Sequence, residues 1–189
     1  MSSPAASADI RVLGDVIPGE RVRDVALVVG FAVAIAASAQ VAIPLPGTPV
    51  PVTGQTFAVL LGAIVLGAGR ATSGSLLYLA AGVAGVPWFA VTGGATIGYI
   101  VGFVAAAALL GRVAERGYAR GPLQVAGAMV VGNLVIYAFG VTGLALVTGM
   151  GASAAIAAGL IPFLIGDTLK IALATAIVPT AWTLVNRGR

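Results

Sequence analysis

The chain has 189 residues, of which 59% are hydrophobic and 8% are charged, and its mean hydropathy is +1.08. A soluble domain usually carries about a quarter charged residues, so this composition excludes an ordinary soluble protein. The net charge is only +4 and no basic stripe alternates with aromatic residues, so we expect no nucleic-acid partner. Cysteine and histidine are both absent, which excludes disulfides, Ser-His triads and most zinc sites. We predict neither a metal site nor a cofactor.

Long apolar blocks match the thickness of a lipid bilayer, which a helix of about 20 residues crosses. The arginines fall in four clusters, at 11–23, 70, 112–120 and 187–189. Between successive clusters there is room for two helices joined by an uncharged loop. We therefore predict an all-α membrane protein with six transmembrane helices. These helices cover residues 25–43, 55–69, 71–86, 97–111, 122–148 and 159–185.

This arrangement places every arginine cluster on one side of the membrane. The positive-inside rule makes that side the cytoplasm, so both termini are predicted to be cytoplasmic. Residues 1–24 are rich in charged and small polar side chains and are predicted to be a disordered cytoplasmic arm. Residues 25–189 are predicted to form the transmembrane domain in the cell membrane. The piece 154–159 precedes Pro162 and is expected to be a short segment outside the last helix.

The second, third and fourth predicted helices are short, at roughly 20–25 Å against a bilayer core of ~30 Å. Either the boundaries are a few residues off, or the outer loops enter the protein and cap a ligand pocket. Irregular backbone is stable at membrane depth only where protein or a watery cavity satisfies it. Prolines stiffen the loop 44–56, and Thr92, Gly93 and Gly94 give the loop 87–96 a flexible backbone. We favour capping loops.

Asp167 and Lys170 are the only charged residues within the predicted spans. A charge in mid-bilayer costs about 2.5–3.5 kcal/mol on insertion scales, and residues three apart share one helical face. The pair either fixes the sixth helix to its neighbours or binds a ligand. Buried ion pairs contribute little to stability, and intramembrane charges usually mark a functional site. We therefore favour a site for a small solute that has hydrogen-bond donors and a carbonyl or anionic oxygen.

Neutral hydrogen-bonding residues are expected near the same level of the membrane, at Thr53, Gln55, Thr56, Thr92 and Tyr99. Asn133 and Tyr137 share one face of the fifth helix and either hold helices together or line the pocket. The predicted substrate site consists of Asp167, Lys170, Tyr99, Gln55, Thr53, Thr92, Gly93 and Gly94.

Small residues recur along the first helix, at Ala26, Gly30 and Ala34 and, offset by two, at Ala32 and Ala36. Such a stripe lets another helix approach closely. The approaching helix belongs either to this chain or to a partner protein.

Four segments, at 49–61, 77–90, 98–103 and 162–170, resemble the BioY family in order along the chain. These proteins are the biotin-specific S components of energy-coupling-factor (ECF) transporters. The resemblance implies capture of biotin from outside the cell. It also implies partnership with a transmembrane coupling subunit (EcfT) and with ABC-type ATPases. Asp167 and Lys170 match the family's Gly-Asp-x-x-Lys segment, which lines the biotin pocket, and the first-helix stripe matches its contact with the coupling subunit.

The loop at 93–99 is shorter than is usual in the family, and Ile100 follows Tyr99 where some members have arginine. A contact to the biotin carboxylate is therefore either missing or supplied by the loop backbone. The alternative function is an autonomous ion-coupled transporter of biotin or another small vitamin, with Asp167 carrying the proton. Such transporters usually contain internal repeats, which this sequence lacks. An enzyme is not expected, because Asp167 is the only carboxylate within the spans, and no phosphate-loop motif is present for ATP.

Overall fold

The computed structural model describes residues 10–17, 19, 21–89 and 94–187, and these residues are mostly helical. The helices are α1 (Arg21–Ala39), α2 (Gln55–Leu66), α3 (Ala68–Val83), α4 (Ile97–Glu115), α5 (Pro122–Thr148), α6 (Ala152–Gly159) and α7 (Leu164–Arg187). Strands β1 (Ala42–Ile43) and β2 (Val52–Thr53) form an antiparallel pair between α1 and α2. The predicted count of six helices is confirmed by α1 to α5 and α7, and α6 is the short extra segment before the last of them.

Within the described part of the chain, four stretches are long and apolar enough to cross a membrane, namely α1, α4 with the turn before it, α5, and α6 with α7. Helices α2 and α3 have 12 and 16 residues, or roughly 18 and 24 Å. The prediction that α4 is short was wrong, because it has 19 residues and continues to Glu115. Arg112 lies in its last turn, where a cation interacts favourably with the helix dipole.

Two further boundaries differ from the prediction. Helix α1 begins at Arg21, inside the predicted arm. Helix α7 begins at Leu164, because residues Ile161–Phe163 form a 3-10 turn that contains Pro162. Asp167 consequently lies in the first turn of α7, and Lys170 lies in the second.

Helix α4 is central to the bundle and packs against α2, α3 and α5. Its aromatic residue Tyr99 also joins α5 and α6 at one end of the bundle. The Tyr99 ring lies directly on Gly140 of α5, and its hydroxyl donates to the Gly159 carbonyl oxygen of α6 at 2.6 Å. Any side chain at position 140 would overlap this ring.

The opposite end of the bundle carries the arginines and is called here the arginine-rich end. Residues 10–17 cross it as an N-terminal strap. Val12 is 3% exposed, and Asp15 forms an ion pair with Arg70 of α3 at 2.8 Å. Arg120 donates to the Arg11 carbonyl oxygen at 3.3 Å, and its guanidinium lies 4.3 Å from the centre of the Trp182 ring. The prediction of disorder was therefore wrong for residues 10–17, because their contacts with the bundle are specific.

The ionisation of Asp15 follows from these contacts. Burial raises the pKa of Asp15, but the hydrogen bond and charge of Arg70 and the backbone N–H groups of Val12 and Arg11 outweigh it, so the pKa is lowered. A carboxyl whose pKa is lower in the folded protein adds stability above its ordinary pKa and loses it as the pH falls. The strap is therefore held at neutral pH by a charged Asp15.

We predict that Arg70→Met speeds backbone hydrogen exchange in residues 10–17, because it removes the partner of Asp15. Arg112→Met is the matched control, since the one bond that Arg112 donates among the described residues is to the Ala108 carbonyl oxygen of its own helix, at 3.4 Å. The wild-type strap should stay protected down to pH 3.8, the ordinary pKa of an aspartate, and be released below it. Equal exchange in both variants, measured by mass spectrometry in detergent, would contradict the role of the ion pair.

We also predict that Gly140→Ala destabilises the protein by about 1–3 kcal/mol, because the new methyl group displaces the Tyr99 ring. Gly127→Ala in the same helix is the control, since a Cβ there meets nothing within 4 Å. Thermal unfolding followed by circular dichroism should show a lower midpoint for Gly140→Ala only. Identical midpoints would refute the close packing of Tyr99 on α5.

Candidate functional site

A cavity of about 210 Å³ lies at the end of the bundle away from the strap. Its apolar wall consists of Ala39, Ala42, Val50, Pro51, Ile100, Phe103 and Phe163. Its polar wall consists of Gln40, Thr53, Gln55, Thr56, Thr96, Tyr99, Tyr137, Asp167 and Lys170. This combination of an apolar surface with a few convergent polar groups is typical of a small-molecule site.

The loop between α1 and α2 covers part of this cavity. Strands β1 and β2 pair Ala42 with Thr53, and the Gly54 N–H donates to the Ser38 carbonyl oxygen at 3.1 Å. These bonds satisfy the irregular backbone and hold Val50 and Pro51 in the cavity wall. The predicted cap at 44–56 is thus present. Of the second predicted loop, Thr96 lines the cavity, and residues 90–93 lie outside the described part of the chain.

The pair Asp167 and Lys170 is the charged centre of the cavity. Asp167 is 5% exposed, and its Oδ1 lies 3.0 Å from Lys170 Nζ. Lys170 also donates to Thr56 Oγ1 of α2 at 2.7 Å, while the Tyr137 hydroxyl of α5 donates to Asp167 Oδ2. Residues from α2, α5 and α7 therefore converge on one carboxylate. A buried ion pair is tolerated when hydrogen bonds of this kind satisfy both charges.

A second polar chain fixes Gln55 beside the cavity. Thr53 donates to Gln55 Oε1 at 3.0 Å, and Gln55 Nε2 donates to the Tyr78 hydroxyl at 2.8 Å. Tyr78 is fully buried in α3, with its ring 5.6 Å from that of Phe89. Gln40 donates to the Trp88 carbonyl oxygen at 3.3 Å and joins the end of α1 to the loop after α3. Both glutamine side chains are thus held in place by neighbours.

The predicted site residues are only partly brought together. Asp167, Lys170, Tyr99, Gln55 and Thr53 all line the cavity. Gly94 does not, because it is exposed in the 3-10 turn before α4 and lies next to Val147. Thr92 and Gly93 lie outside the described residues.

Other lining residues were not assigned from the sequence. Thr56 and Tyr137 were recognised as polar residues at a suitable level, but nothing in the pattern distinguished them from helix contacts. Asn133, one turn from Tyr137, is buried outside the cavity wall, and its Oδ1 has no hydrogen-bond partner among the described residues. Phe103 carries no signal that separates it from an ordinary core residue.

The small-residue stripe of α1 divides into two faces. Ala26, Gly30 and Ala34 are exposed on the outside of the bundle, and a Cβ at Gly30 would meet nothing within 4 Å. Ala32 and Ala36 are 1% and 2% exposed and pack inside the bundle. The prediction that these two alanines face a partner was wrong, because an offset of two positions turns a helical residue to the other side. The outward face of α1 is therefore Ala26, Gly30 and Ala34.

Comparison with known proteins gives consistent results. The chain is 32% identical to the biotin transporter BioY of Rhizobium etli over 82% of this chain and 90% of that protein. It is 35% identical to the biotin transporter BioY of Thermotoga maritima over 78% of this chain and 88% of that protein. The crystal structure of the S component for biotin from an ECF-type ABC transporter has the same fold. Its TM-score is 0.76 at 18% identity, with 86% of this chain and 92% of that chain covered.

The match to the BioY family itself extends over residues 7–187. This range includes the strap, all the described helices and the complete polar wall of the cavity. The relatives are transporters, and apolar helices form the bundle, so the chain is a multi-pass membrane protein. The resemblance seen in the sequence is therefore confirmed: the chain belongs to the BioY family.

Proposed function

We propose that this protein captures biotin from outside the cell as the S component of an ECF-type importer. The observation that carries the proposal is the ion pair of the buried Asp167 with the half-buried Lys170 in the cavity wall of a BioY-family chain. Relatives of similar length are biotin transporters, which supports the same ligand here. The protein itself catalyses no reaction in this proposal.

The chemistry of the pair matches the ureido ring of biotin. An ionised aspartate only accepts hydrogen bonds and a lysine ammonium only donates them. A ureido N–H therefore suits Asp167, and the ureido carbonyl oxygen suits Lys170. The carboxylate of biotin is disfavoured at this place, because Asp167 lies 3.0 Å from Lys170 and would repel it. We therefore assign the ureido end to the pair, and the thioether ring and valeryl chain to the apolar wall.

We predict that Asp167→Asn and Lys170→Ala each weaken biotin binding at least tenfold, or about 1.4 kcal/mol. Each change removes a charged partner and leaves the other uncompensated. Thr168→Val between them is the control, because Thr168 donates only to the Leu164 carbonyl of its own helix. Calorimetric titration in detergent, without nucleotide, measures the affinities. Unchanged affinity in both charge variants would contradict the site, and binding of a different vitamin instead of biotin would contradict the substrate.

The proposed orientation and partners follow from charge and from α1. The arginine-rich end is assigned to the cytoplasm by the positive-inside rule, so both termini are cytoplasmic and the cavity faces outward. The sequence has no phosphate-loop motif, so ATP hydrolysis must come from ABC-type ATPases joined through the coupling subunit EcfT. We assign the EcfT contact to Ala26, Gly30 and Ala34, whose small side chains permit close helix approach.

We predict that Gly30→Leu abolishes co-purification with the coupling module and ATP-driven uptake into vesicles, while biotin binding by the isolated protein is unchanged. Gly127→Leu is the matched control, because Gly127 is also exposed on a long helix with nothing within 4 Å of its Cβ position. Normal uptake by Gly30→Leu would contradict the assigned contact. Uptake by this chain alone, driven by a pH gradient, would instead favour an ion-coupled transporter, which the BioY relatives do not support.

A further inference from the structure

The acceptor sites of Asp167 are almost all occupied by the protein. A carboxylate offers about four lone-pair positions, two on each oxygen. Oδ1 receives Lys170 Nζ at 3.0 Å and the Thr56 hydroxyl at 3.4 Å. Oδ2 receives the Tyr137 hydroxyl. With the bonds of the described residues counted, one acceptor position is left, and it is on Oδ2, the oxygen to which Tyr137 donates.

The direction of the Tyr137 bond follows from chemistry. An ionised carboxylate has no proton to give, so the phenol must donate. Tyr137 is 7% exposed and lines the cavity beside Asp167, so it contacts both the carboxylate and the space a ligand would fill. Its ring comes from α5, whereas the competing donor Lys170 lies on α7 with Asp167 itself. The two donors therefore hold the carboxylate from different helices.

Removal of the Tyr137 hydroxyl would leave the Asp167 carboxylate held mainly from its own helix, by Lys170. With no donor on Oδ2, the carboxylate is free to rotate and to offer both oxygens to Lys170, three residues away on the same helix. Asp167 and Lys170 would then bond each other through both carboxylate oxygens, and the acceptor position for a ligand N–H would be lost. The Tyr137 hydroxyl opposes this closure by holding Oδ2 away from the ammonium.

We propose that Tyr137 is a positioning residue that reserves one acceptor site on Asp167 Oδ2 for a single ligand N–H, and thereby makes the pocket select for that N–H. The inference rests on the proposed function and deepens it, because it assigns recognition of the two ureido nitrogens of biotin unequally. One N–H binds Asp167 Oδ2 beside Tyr137. The other nitrogen makes no contact with this carboxylate.

Biotin and its two mono-N-methyl ureido analogues test the proposal by calorimetric titration. Wild-type protein should bind one analogue at least about tenfold more weakly than biotin, the loss expected for a hydrogen bond to a charged group, and should tolerate the other analogue better. Tyr137→Phe should weaken biotin binding about tenfold and leave the disfavoured analogue within about twofold of its wild-type affinity. The selectivity ratio, which is the affinity for biotin divided by the affinity for the disfavoured analogue, should therefore fall about tenfold.

Tyr99→Phe is the matched control, because Tyr99 lines the same cavity but its hydroxyl donates to the Gly159 carbonyl oxygen and not to Asp167. It should change the affinities for biotin and both analogues by one common factor and leave the ratio unchanged. If Tyr137 had a purely structural role, Tyr137→Phe would likewise change all three affinities by one common factor. An unchanged ratio in Tyr137→Phe would therefore overturn the proposal.

Two further outcomes are decisive. Equal binding of both analogues by wild-type protein would overturn the inference without any variant and would leave biotin capture intact. Absence of biotin binding by wild-type protein would overturn the proposed function and the inference with it. If Tyr137→Phe does not fold, Tyr137→Met removes the hydroxyl with a different side chain and must lower the ratio in the same way.

Discussion

The burial of Asp167 beside Lys170 is the constraint on which the rest of the cavity depends. Two opposite charges inside a bilayer protein are stable only when further hydrogen bonds satisfy them. Here those bonds come from Thr56 and Tyr137, so α2, α5 and α7 must meet at one level. The first turn of α7 is a favourable position for the carboxylate, because the helix dipole is positive there. The same convergence brings these groups together in the polar wall of the cavity, where hydrogen bonds to a ligand can replace some of the hydrogen bonds between side chains.

The two ends of the bundle are stabilised by different interactions. At the arginine-rich end, Asp15 and Arg70 hold the strap against α3, and Arg120 joins it to Trp182 of α7. At the cavity end, irregular backbone between α1 and α2 is satisfied by the hairpin and by Ser38. The outward face of α1 lies along the side of the bundle, between these two ends. The proposed ligand site and the proposed docking face are therefore separated in space.

Much of this architecture was predictable because its causes are local in sequence. Arginine clusters and apolar blocks define the six helices that form the bundle, and a charged pair within a span indicates the candidate site. Other features depend on packing that a single sequence does not reveal. The end of α4 was misplaced because Arg112 and Glu115 resemble a loop, although both are accommodated in the last helical turns. Likewise, Ala32 and Ala36 resemble Ala34 in composition, and only the rotation of α1 in the bundle shows that they are buried.

Tyr137 shows most clearly what sequence alone lacks. A tyrosine within a span is equally compatible with a helix contact and with a ligand contact, and only the structure shows that the Tyr137 hydroxyl of α5 bonds Asp167 of α7. Asn133, on the same face, is buried but lies outside the cavity wall. The sequence therefore shows a charged pair within a span, and the structure shows which groups hydrogen-bond to it.

In the proposed function, the ureido end of biotin binds the Asp167–Lys170 pair. Lys170 is the only lysine in the sequence, so a nitrogen-15 label on lysine Nζ reports on this site alone. Solid-state magnetic resonance can then measure its dipolar coupling to biotin labelled with carbon-13 at either the ureido carbonyl or the carboxyl carbon. We expect strong coupling to the ureido carbonyl, as across a hydrogen bond, and none to the carboxyl. Strong coupling to the carboxyl carbon and none to the ureido carbonyl would contradict this orientation of biotin.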